Sequence, residues 1–420
     1  MMTSPKLVQT PSTRRRAWVV LITLSMLSGI GMTVVFPVMP FLVQQYLPAG
    51  HSSLSIWVGV LEAVSALCAF VASPFFGGLS DRVGRRPVII IASFGAVVGY
   101  LIFGFGGALW VLLLGRIIQG ITAGDLPAMF AYVADITPPE NRAKRFGLLG
   151  ALNGISFMVG PALGGLLSTI DIRFPVFVTA AAALLVALLS IFLLPESLAP
   201  ENRAKKLQME NLNPVNVVVD AFRRRNLRGI LLTIALLAIP FMFFSSNFSV
   251  LAIDTVHWDA TQVGFLLSVI GVLDIVIQGV VLGFLISRIG DHATIAIGII
   301  GQILGIGALV ALALHFAQPW LLIVGVLMLG GFQGLTQAPL DGMLSSAAGD
   351  DEQGKVAGAL QAVNSGVQMV APLIAGVLYA TLGQASPYLI GLVLAVTALV
   401  TFARLRSARA DEQVGDLQTV

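Results

Sequence analysis

The sequence predicts an all-α polytopic membrane protein in which twelve transmembrane helices form two repeats of six. Two observations lead to this class. Of the 420 residues, 57% are hydrophobic and 11% are charged, whereas soluble domains carry about 25% charged residues; the mean hydropathy is +0.92. The apolar runs are also too long and continuous for the strands of a membrane barrel, the other architecture that a bilayer admits. The chain is therefore expected to cross the membrane as helices.

A helix needs about 20 apolar residues to cross a bilayer, and twelve runs in the chain meet this requirement. They lie approximately at residues 17–46, 54–79, 87–105, 108–135, 145–168, 174–194, 229–252, 262–286, 293–314, 319–347, 355–382 and 387–405.

One long polar connection, residues 195–228, separates the sixth run from the seventh. We therefore expect an N-terminal six-helix bundle at residues 1–194, a linker at 195–228, and a C-terminal bundle at 229–420 that ends in a short tail. Because the basic residues concentrate on the loops of one face, the positive-inside rule places both termini and the linker in the cytoplasm of a multi-pass plasma (inner) membrane protein. The net charge of +3 is explained by this orientation, so no nucleic-acid partner is expected.

An internal repeat supports the division into halves. Residues of the fifth run recur in the same order in the eleventh run: Asn153, Met158, Pro161 and Gly165 are followed by Asn364, Met369, Pro372 and Gly376. Similarly, Gly84 has a weaker counterpart in Gly290. Two parallel six-helix repeats are the plan of secondary transporters that rock around a site near the membrane midplane.

The most informative stretch is the charged loop between the second and third runs, which reads Gly-Gly-Leu-Ser-Asp-Arg-Val-Gly-Arg-Arg-Pro-Val over Gly77–Val88. Gly84 permits a tight turn, and Asp81 can bond free backbone N–H groups at a neighbouring helix start. Alternatively, these arginines only anchor the topology. In the fifth run, small residues allow backbones to approach closely and a proline bends the helix, so this segment predicts either a pivot or ordinary helix packing; these residues are Gly160, Pro161, Gly164 and Gly165.

On these motifs the chain resembles the drug:proton antiporter group of the major facilitator superfamily, including its tetracycline and multidrug exporters. The likeness covers nearly the whole chain, and the motif Arg-x-x-x-Gly of the fourth helix is matched at Arg116 and Gly120. The resemblance implies export and a conformational latch, in which Asp81 holds the start of the eleventh helix while Arg85 pairs with Asp135. The predicted latch comprises Gly77, Asp81, Arg82, Gly84, Arg85, Arg86 and Asp135.

Ionisable groups inside the predicted spans are costly unless they have partners or face a cavity. We identified four of them: Glu62, Arg116, Asp125 and Asp274. Asp125 and Asp274 fall near the midplane, one in each repeat, where a carboxyl group in a low-dielectric setting can exchange protons near neutral pH. Glu62 and Arg116 lie in the outer half and can alternatively form a structural ion pair.

The resemblance to tetracycline exporters has departures. Their acid in the first helix aligns with Ser28, their acid in the third helix aligns with Gly99, and their histidine in the eighth helix aligns with Asp274. An ionisable group is therefore retained on the eighth helix and lost from the first and third.

A broad pocket is predicted by aromatic and amide residues, of which the candidates are Phe241, Phe244, Asn247, Gln333 and Gln337. The sequence has no nucleotide-binding loop, metal-ligand spacing or nucleophile elbow, so no enzyme activity, cofactor or metal is expected. The leading hypothesis is a monomeric exporter of amphiphilic small molecules in exchange for protons. The alternatives are a lipid or glycolipid flippase, which needs a basic headgroup site and a lateral opening, a metabolite exporter, and a non-transporting membrane protein.

Overall fold

The computed structural model describes residues 11–48, 53–204, 222–314, 316, 318–347 and 353–418. Within these ranges the side chains of residues 11–16, 125–126, 139, 143, 225–226, 353–355 and 406–418 lie outside the description. The described chain is helical and contains no strand. In it, ten helices are long and apolar enough to cross a membrane, and one of these covers two predicted spans.

The helices, numbered in chain order, are α1 (Pro11–Val34), α2 (Met39–Gln44), α3 (Ser53–Val83), α4 (Arg85–Phe105), α5 (Leu109–Ile121), α6 (Asp125–Ile136), α7 (Pro139–Ser168), α8 (Phe174–Phe192), α9 (Arg225–Val256), α10 (Ala260–Val276), α11 (Leu282–Ala313), α12 (Pro319–Ser346), α13 (Gln353–Leu382) and α14 (Ser386–Gln418). A 3₁₀ turn occurs at Pro200–Asn202, and a π-helix at Ile277–Val281 joins α10 to α11.

The predicted all-helical, twelve-span fold is confirmed, but two spans expected to be continuous are broken. The first is interrupted between α1 and α2, and the fourth is interrupted at Thr122–Gly124 between α5 and α6. Each break lies beside a proline, Pro37 in the first case and Pro127 in the second. Proline cannot donate a backbone hydrogen bond, and its ring clashes with the carbonyl four residues earlier.

Two glycines turn the chain sharply at equivalent places in the two repeats. Gly84 separates α3 from α4 with φ 113° and ψ 164°, and Gly290 interrupts α11 with φ 80° and ψ 168°. Both conformations lie in the left-handed half of backbone space that glycine reaches without steric cost. Gly290 therefore marks the boundary between the eighth and ninth predicted spans.

The chain divides into two compact units. The first unit contains the described parts of Met1–Pro48, Val64–Leu212 and Asp259–Gly271; the second contains those of Ala49–Ala63, Asn213–Trp258 and Val272–Val420. In the first unit α1 packs on α7 and α8, and α4 packs on α5 and α8. In the second unit α9 packs on α13 and α14, and α11 packs on α12 and α14. The same order of partners in both units agrees with the predicted repeat.

Close glycine contacts hold one helix pair in each unit. A Cβ atom placed on Gly115 of α5 would lie 2.8 Å from the carbonyl oxygen of Gly99 of α4. Likewise, a Cβ atom on Gly305 of α11 would lie 2.9 Å from the carbonyl oxygen of Gly325 of α12. Small residues at such positions allow helix backbones to approach, which favours helix association where lipid supplies no hydrophobic driving force.

We predict that Gly115→Ala lowers the thermal unfolding midpoint of the purified protein, because the added methyl group forces α4 and α5 apart. Overpacking of this kind costs about 1–3 kcal/mol. The matched control is Gly147→Ala in α7, where a Cβ atom would meet nothing within 4 Å, so its midpoint should equal or exceed that of the wild type. Equal midpoints for both variants would contradict the packing described for α4 and α5.

Candidate functional site

A cavity of about 190 Å³ lies within the second unit, between α9, α11, α12 and α13. Its wall combines apolar side chains with five side-chain amides and one hydroxyl group. The lining residues are Ile234, Leu237, Ala238, Phe241, Met242, Gln302, Gln333, Thr336, Gln337, Leu340, Asn364, Val367 and Gln368.

The polar groups of the wall are neutral and partly ordered by hydrogen bonds to one another. Gln302 Nε2 donates to Thr336 Oγ1 at 2.8 Å, and Thr336 Oγ1 donates to the carbonyl oxygen of Gln333 at 2.9 Å. An amide both donates and accepts, so this wall can match varied polar groups without fixing a charge. Phe241 supplies a ring and Met242 an adaptable thioether, which suit an amphiphilic molecule.

The structure brings three of the five predicted pocket residues to this wall, namely Phe241, Gln333 and Gln337. Phe244 and Asn247 are buried and do not line this cavity, so their place in a substrate pocket stays a prediction. Successive residues of a helix are separated by about 100°. Asn247 therefore points to another side of α9 than the lining residues. Phe244 lies near the edge of the lining side but beyond Met242 along the helix, where its ring packs between those of Phe241 and Phe248.

Asp274 is half-buried and lies two residues before the end of α10, which continues into the π-helix. Gln278 Nε2 donates to both carboxylate oxygens of Asp274 at 2.8 Å. A Cβ atom on Gly334 of α12 would lie 3.0 Å from Asp274 Oδ1, so the absence of a side chain there allows the carboxylate to approach α12. The π-helix is a rare element that occurs frequently at functional sites.

The other predicted intramembrane charges are Asp125, Glu62 and Arg116. Asp125 is the first residue of α6, and its side chain lies outside the description. Glu62 is half-buried on α3, and Arg116 donates from Nη1 to Gln119 Oε1 at 3.1 Å. The suggested ion pair between Glu62 and Arg116 stays a prediction.

Two further acids of the observed helices were not among the predicted site residues. Asp341 of α12 is half-buried and accepts hydrogen bonds from Gln337 Nε2 at 3.1 and 3.2 Å. Asp254 accepts a hydrogen bond from the hydroxyl group of Tyr379 at 2.8 Å. Asp341 could have been found, because it lies inside a predicted span where any acid is unusual.

Gly99 explains one departure from the tetracycline exporters. A Cβ atom at this position would lie 2.7 Å from Gln119 Cγ and 3.0 Å from the carbonyl oxygen of Gly115. No carboxylate side chain fits there without separating the two helices. Close packing of α4 against α5 therefore takes the space that an acid of the third helix would need.

In the charged loop of the first unit, Arg85 lies between two acids. Its Nε atom is 3.1 Å from Asp135 Oδ2, and its Nη1 atom is 2.5 Å from Asp81 Oδ1. The Arg85 guanidinium group is mostly buried, with 11% of its side chain exposed. The proposed bond from Asp81 to the start of the eleventh predicted helix stays a prediction, because residues 348–352 lie outside the described chain.

Glu196, which was not among the predicted site residues, accepts hydrogen bonds from the backbone around this loop. Its Oε1 atom accepts the backbone N–H of Arg85 at 2.9 Å, and its Oε2 atom accepts that of Arg86 at 3.3 Å. Oε1 also accepts the N–H groups of Ser197 and Leu198 at 3.0 and 3.1 Å. A carboxylate at the first turn of α4 satisfies free N–H groups and is favoured by the helix dipole.

The remaining residues of the predicted latch have separate environments. Arg86 donates to the carbonyl oxygens of Ser190 and Ile191 and so binds the C-terminal end of α8. Arg82 is exposed, and a Cβ atom on Gly77 would meet nothing within 4 Å. Gly84 is crowded by Glu196, because a Cβ atom there would overlap the Glu196 carboxylate.

The small residues of the fifth predicted span lie at helix contacts within the first unit. A Cβ atom on Gly160 or Gly164 would overlap α1, at Thr33 and Val34 respectively. Pro161 and Gly165 face α10, where a Cβ atom on Gly264 would overlap the carbonyl oxygen of Pro161.

The second unit repeats this arrangement with different residues. Thr261 Oγ1 donates to the carbonyl oxygen of Gly165 at 3.0 Å in the first unit. In the second unit Ser55 Oγ donates to the carbonyl oxygen of Gly376 at 3.0 Å. Gly165 and Gly376 are the residues that the internal repeat pairs. In both units, therefore, a hydroxyl group on one helix donates to a glycine carbonyl on another.

Two six-helix repeats in the membrane, with an amide-lined cavity and half-buried acids, define a secondary-transporter architecture. Residues 21–365 and 254–418 match the sequence profile of the Major Facilitator Superfamily. The chain belongs to this family of membrane transporters.

Named relatives agree with this assignment. The chain is 34% identical to the tetracycline resistance protein, class C, of Escherichia coli over 93% of this chain and 96% of that protein. It is 28% identical to multidrug resistance protein 2 of Bacillus subtilis (strain 168) over 87% and 89% of the two chains. The crystal structure of the human organic anion transporter MFSD10 (TETRAN) shares the fold, with a TM-score of 0.65, 20% identity, and coverage of 94% of this chain and 100% of that one.

We predict that Glu196→Gln lowers the thermal unfolding midpoint, because an amide keeps the size of the carboxylate but loses its charge and one accepting atom. Buried N–H groups left without an acceptor cost about 1–3 kcal/mol. Glu201→Gln, an exposed acid in the same connection, should leave the midpoint unchanged. If the two variants melt together, the bonds from α4 to Glu196 do not stabilise the fold.

Proposed function

We propose that this chain is a secondary active transporter that exports amphiphilic small molecules in exchange for protons by alternating access. The observation that carries the proposal is the cavity of the second unit. Amides, an aromatic ring and a thioether line it, and none of its lining residues has an ionisable side chain. The similarity to tetracycline and multidrug resistance proteins supports export of such molecules.

Asp274 is the first candidate for proton coupling. It is a half-buried acid beside a π-helix, and its packing partner Gly334 directly follows Gln333, which lines the cavity. Protonation of Asp274 would therefore change a contact one residue from the substrate wall. Asp125 is the second candidate because of its position at the break between α5 and α6. Glu62 and Arg116 are supporting candidates in the outer half.

In this proposal the basic loops face the cytoplasm, as the positive-inside rule requires. The cluster of Asp81, Arg85 and Asp135 then lies on the cytoplasmic side and acts as the latch that stabilises one conformational state. A buried guanidinium group held by two acids is costly to separate from both. The protein is proposed to work as a monomer that binds substrate in the cavity of the second unit.

A lipid or glycolipid flippase on the same fold is the second candidate function, and a metabolite exporter is the third. The neutral wall of the cavity favours the drug exporter, since a phospholipid cargo needs a basic group at the binding site. A panel of cells that lack their own exporters, tested with tetracycline, with a lipophilic cation and with a fluorescent phospholipid, separates these functions.

We predict that efflux by this protein follows the proton gradient, because the sequence has no nucleotide-binding loop. A protonophore should abolish accumulation against a gradient in cells whose ATP is maintained. Cells that carry the empty vector provide the control for passive leak. Efflux that continues at the original rate would exclude proton exchange as the energy source.

We predict that Asp274→Asn abolishes uphill transport while substrate binding persists, because the amide keeps the shape of the side chain but cannot carry a proton. The measurements are proton release on addition of substrate and accumulation in proteoliposomes with an imposed pH gradient. The matched control is Asp291→Asn, which changes an exposed acid of α11 in the same unit. A variant at Asp274 that keeps both activities would move the coupling site to Asp125 or Asp341.

A further inference from the structure

A second cavity, of about 310 Å³, lies within the first unit where α6 ends and α7 begins, beside the start of α1. Its wall is formed by an aromatic ring, an amide, a hydroxyl group and two basic side chains; the residues that matter here are Trp18, Thr137, Asn141, Lys144 and Arg145. None of these residues belongs to the proposed transport site.

The cavity is positively charged. Lys144 is exposed, and the Arg145 guanidinium carbon lies 4.2 Å from the centroid of the Trp18 ring. Stacking on an aromatic face fixes the plane of a guanidinium group and leaves its N–H edges available. No acidic residue is among those that line this cavity. Glu140, the acid in the first turn of α7, is exposed and lies outside the lining.

The N-terminal end of α7 adds partial positive charge to this cavity. The cavity borders the first turn of α7, a helix of 30 residues whose N-terminal end has no side-chain capping bond in the described structure. Helix N-terminal N–H groups and the helix dipole attract anions. Arg142 Nε donates to the carbonyl oxygen of Thr137, just before this turn, at 3.3 Å. This bond helps to order the loop at the base of the cavity.

The buried hydroxyl group of Thr137 is a second feature that indicates a ligand in this cavity. Its side chain is 5% exposed, and its Oγ1 atom is buried without a hydrogen-bond partner among the described residues. A buried hydroxyl group without a partner costs roughly the desolvation of that group, so such groups are uncommon in folded proteins. An acceptor bound in the cavity would satisfy it.

We infer that this cavity binds the phosphate of an anionic phospholipid headgroup. A phosphodiester offers acceptor oxygens to the Arg145 and Lys144 side chains, the Asn141 amide and the Thr137 hydroxyl. Basic pockets between helices at the cytoplasmic side are the places where acidic lipid headgroups bind. A free phosphate ion has the same chemistry, but Trp18 at the start of the first span places the cavity at the depth of the headgroups, where aromatic residues concentrate.

The cavity retains a lipid rather than passing it through the protein. Trp18 and Ile136 belong to the buried hydrophobic core of the first unit, together with Leu21, Leu24 and Tyr132. The inner end of the cavity is therefore closed by packed side chains. The bound lipid is distinct from any transported substrate and does not require the flippase function.

The test uses the purified full-length protein in detergent and native mass spectrometry to measure the affinity for the first bound phosphatidylglycerol. We expect the double variant Lys144→Gln, Arg145→Gln to bind it at least tenfold more weakly, and Thr137→Val, which keeps the shape of the side chain, to bind it several-fold more weakly. Arg288→Gln is the matched control, because the Arg288 guanidinium also lies over an aromatic ring, that of Phe284, at 5.5 Å and outside the cavity. Its affinity should equal that of the wild type.

Phosphatidylcholine and inorganic phosphate form the other arms of the experiment. Weak binding of phosphatidylcholine by all variants, with no displacement of phosphatidylglycerol by millimolar phosphate, supports the lipid headgroup. Displacement by inorganic phosphate would make a soluble anion the occupant and overturn the lipid assignment. Equal phosphatidylglycerol affinities for the wild type and the double variant would overturn the site itself. Thermal unfolding midpoints show whether each variant is folded.

Discussion

Every backbone N–H and C=O group within the hydrocarbon must find a partner inside the protein, and the rest of the structure depends on this constraint. It makes the spans helical, and each break in a helix leaves backbone groups that need other partners. Within the spans the breaks occur beside Pro37, at Thr122–Gly124 and at the π-helix Ile277–Val281. Non-helical backbone at membrane depth persists only where it is buried in protein or lines a water-filled cavity. Asp125 directly follows the break at Thr122–Gly124, and Asp274 lies three residues before the π-helix, which links the proposed coupling sites to backbone that departs from the α-helix.

The two repeats share equivalent hydrogen bonds between helices as well as the same number of helices. The hydroxyl groups of Thr261 and Ser55 each donate to a glycine carbonyl, and those glycines are the pair Gly165 and Gly376. A helix carbonyl already accepts one intrahelical bond, and it can accept a bond from another helix only where that helix comes close. Glycine permits that approach because it has no Cβ atom. Contacts of this kind are weak individually, about 0.6 kcal/mol on average between membrane helices, so they can break and form during a transport cycle without large barriers.

The sequence predicted the helices well because each needs only length and hydropathy. It also predicted the turn at Gly84 and its counterpart at Gly290, since both need a conformation that glycine alone reaches without strain. It did not predict which residues of α9 line the cavity, because this helix is apolar around most of its circumference, so periodicity gives no direction. Nor could it identify Glu196 as the acceptor for α4, because the bond joins residues more than 100 positions apart and several acids lie in the same polar connection.

The hydrogen bonds of Asp274 suggest how a proton could be communicated to the cavity in the proposed mechanism. Only an ionised carboxylate accepts on both oxygens from Gln278 without competition, because a protonated carboxyl group turns one oxygen into a donor. Protonation would therefore release one of the two contacts to Gln278, which belongs to the π-helix. The same carboxylate lies against Gly334 of α12, and the adjacent Gln333 lines the cavity. A shift of the π-helix would then move the contact surface of α12 next to the substrate wall, which couples protonation to binding without placing a charge in the cavity itself.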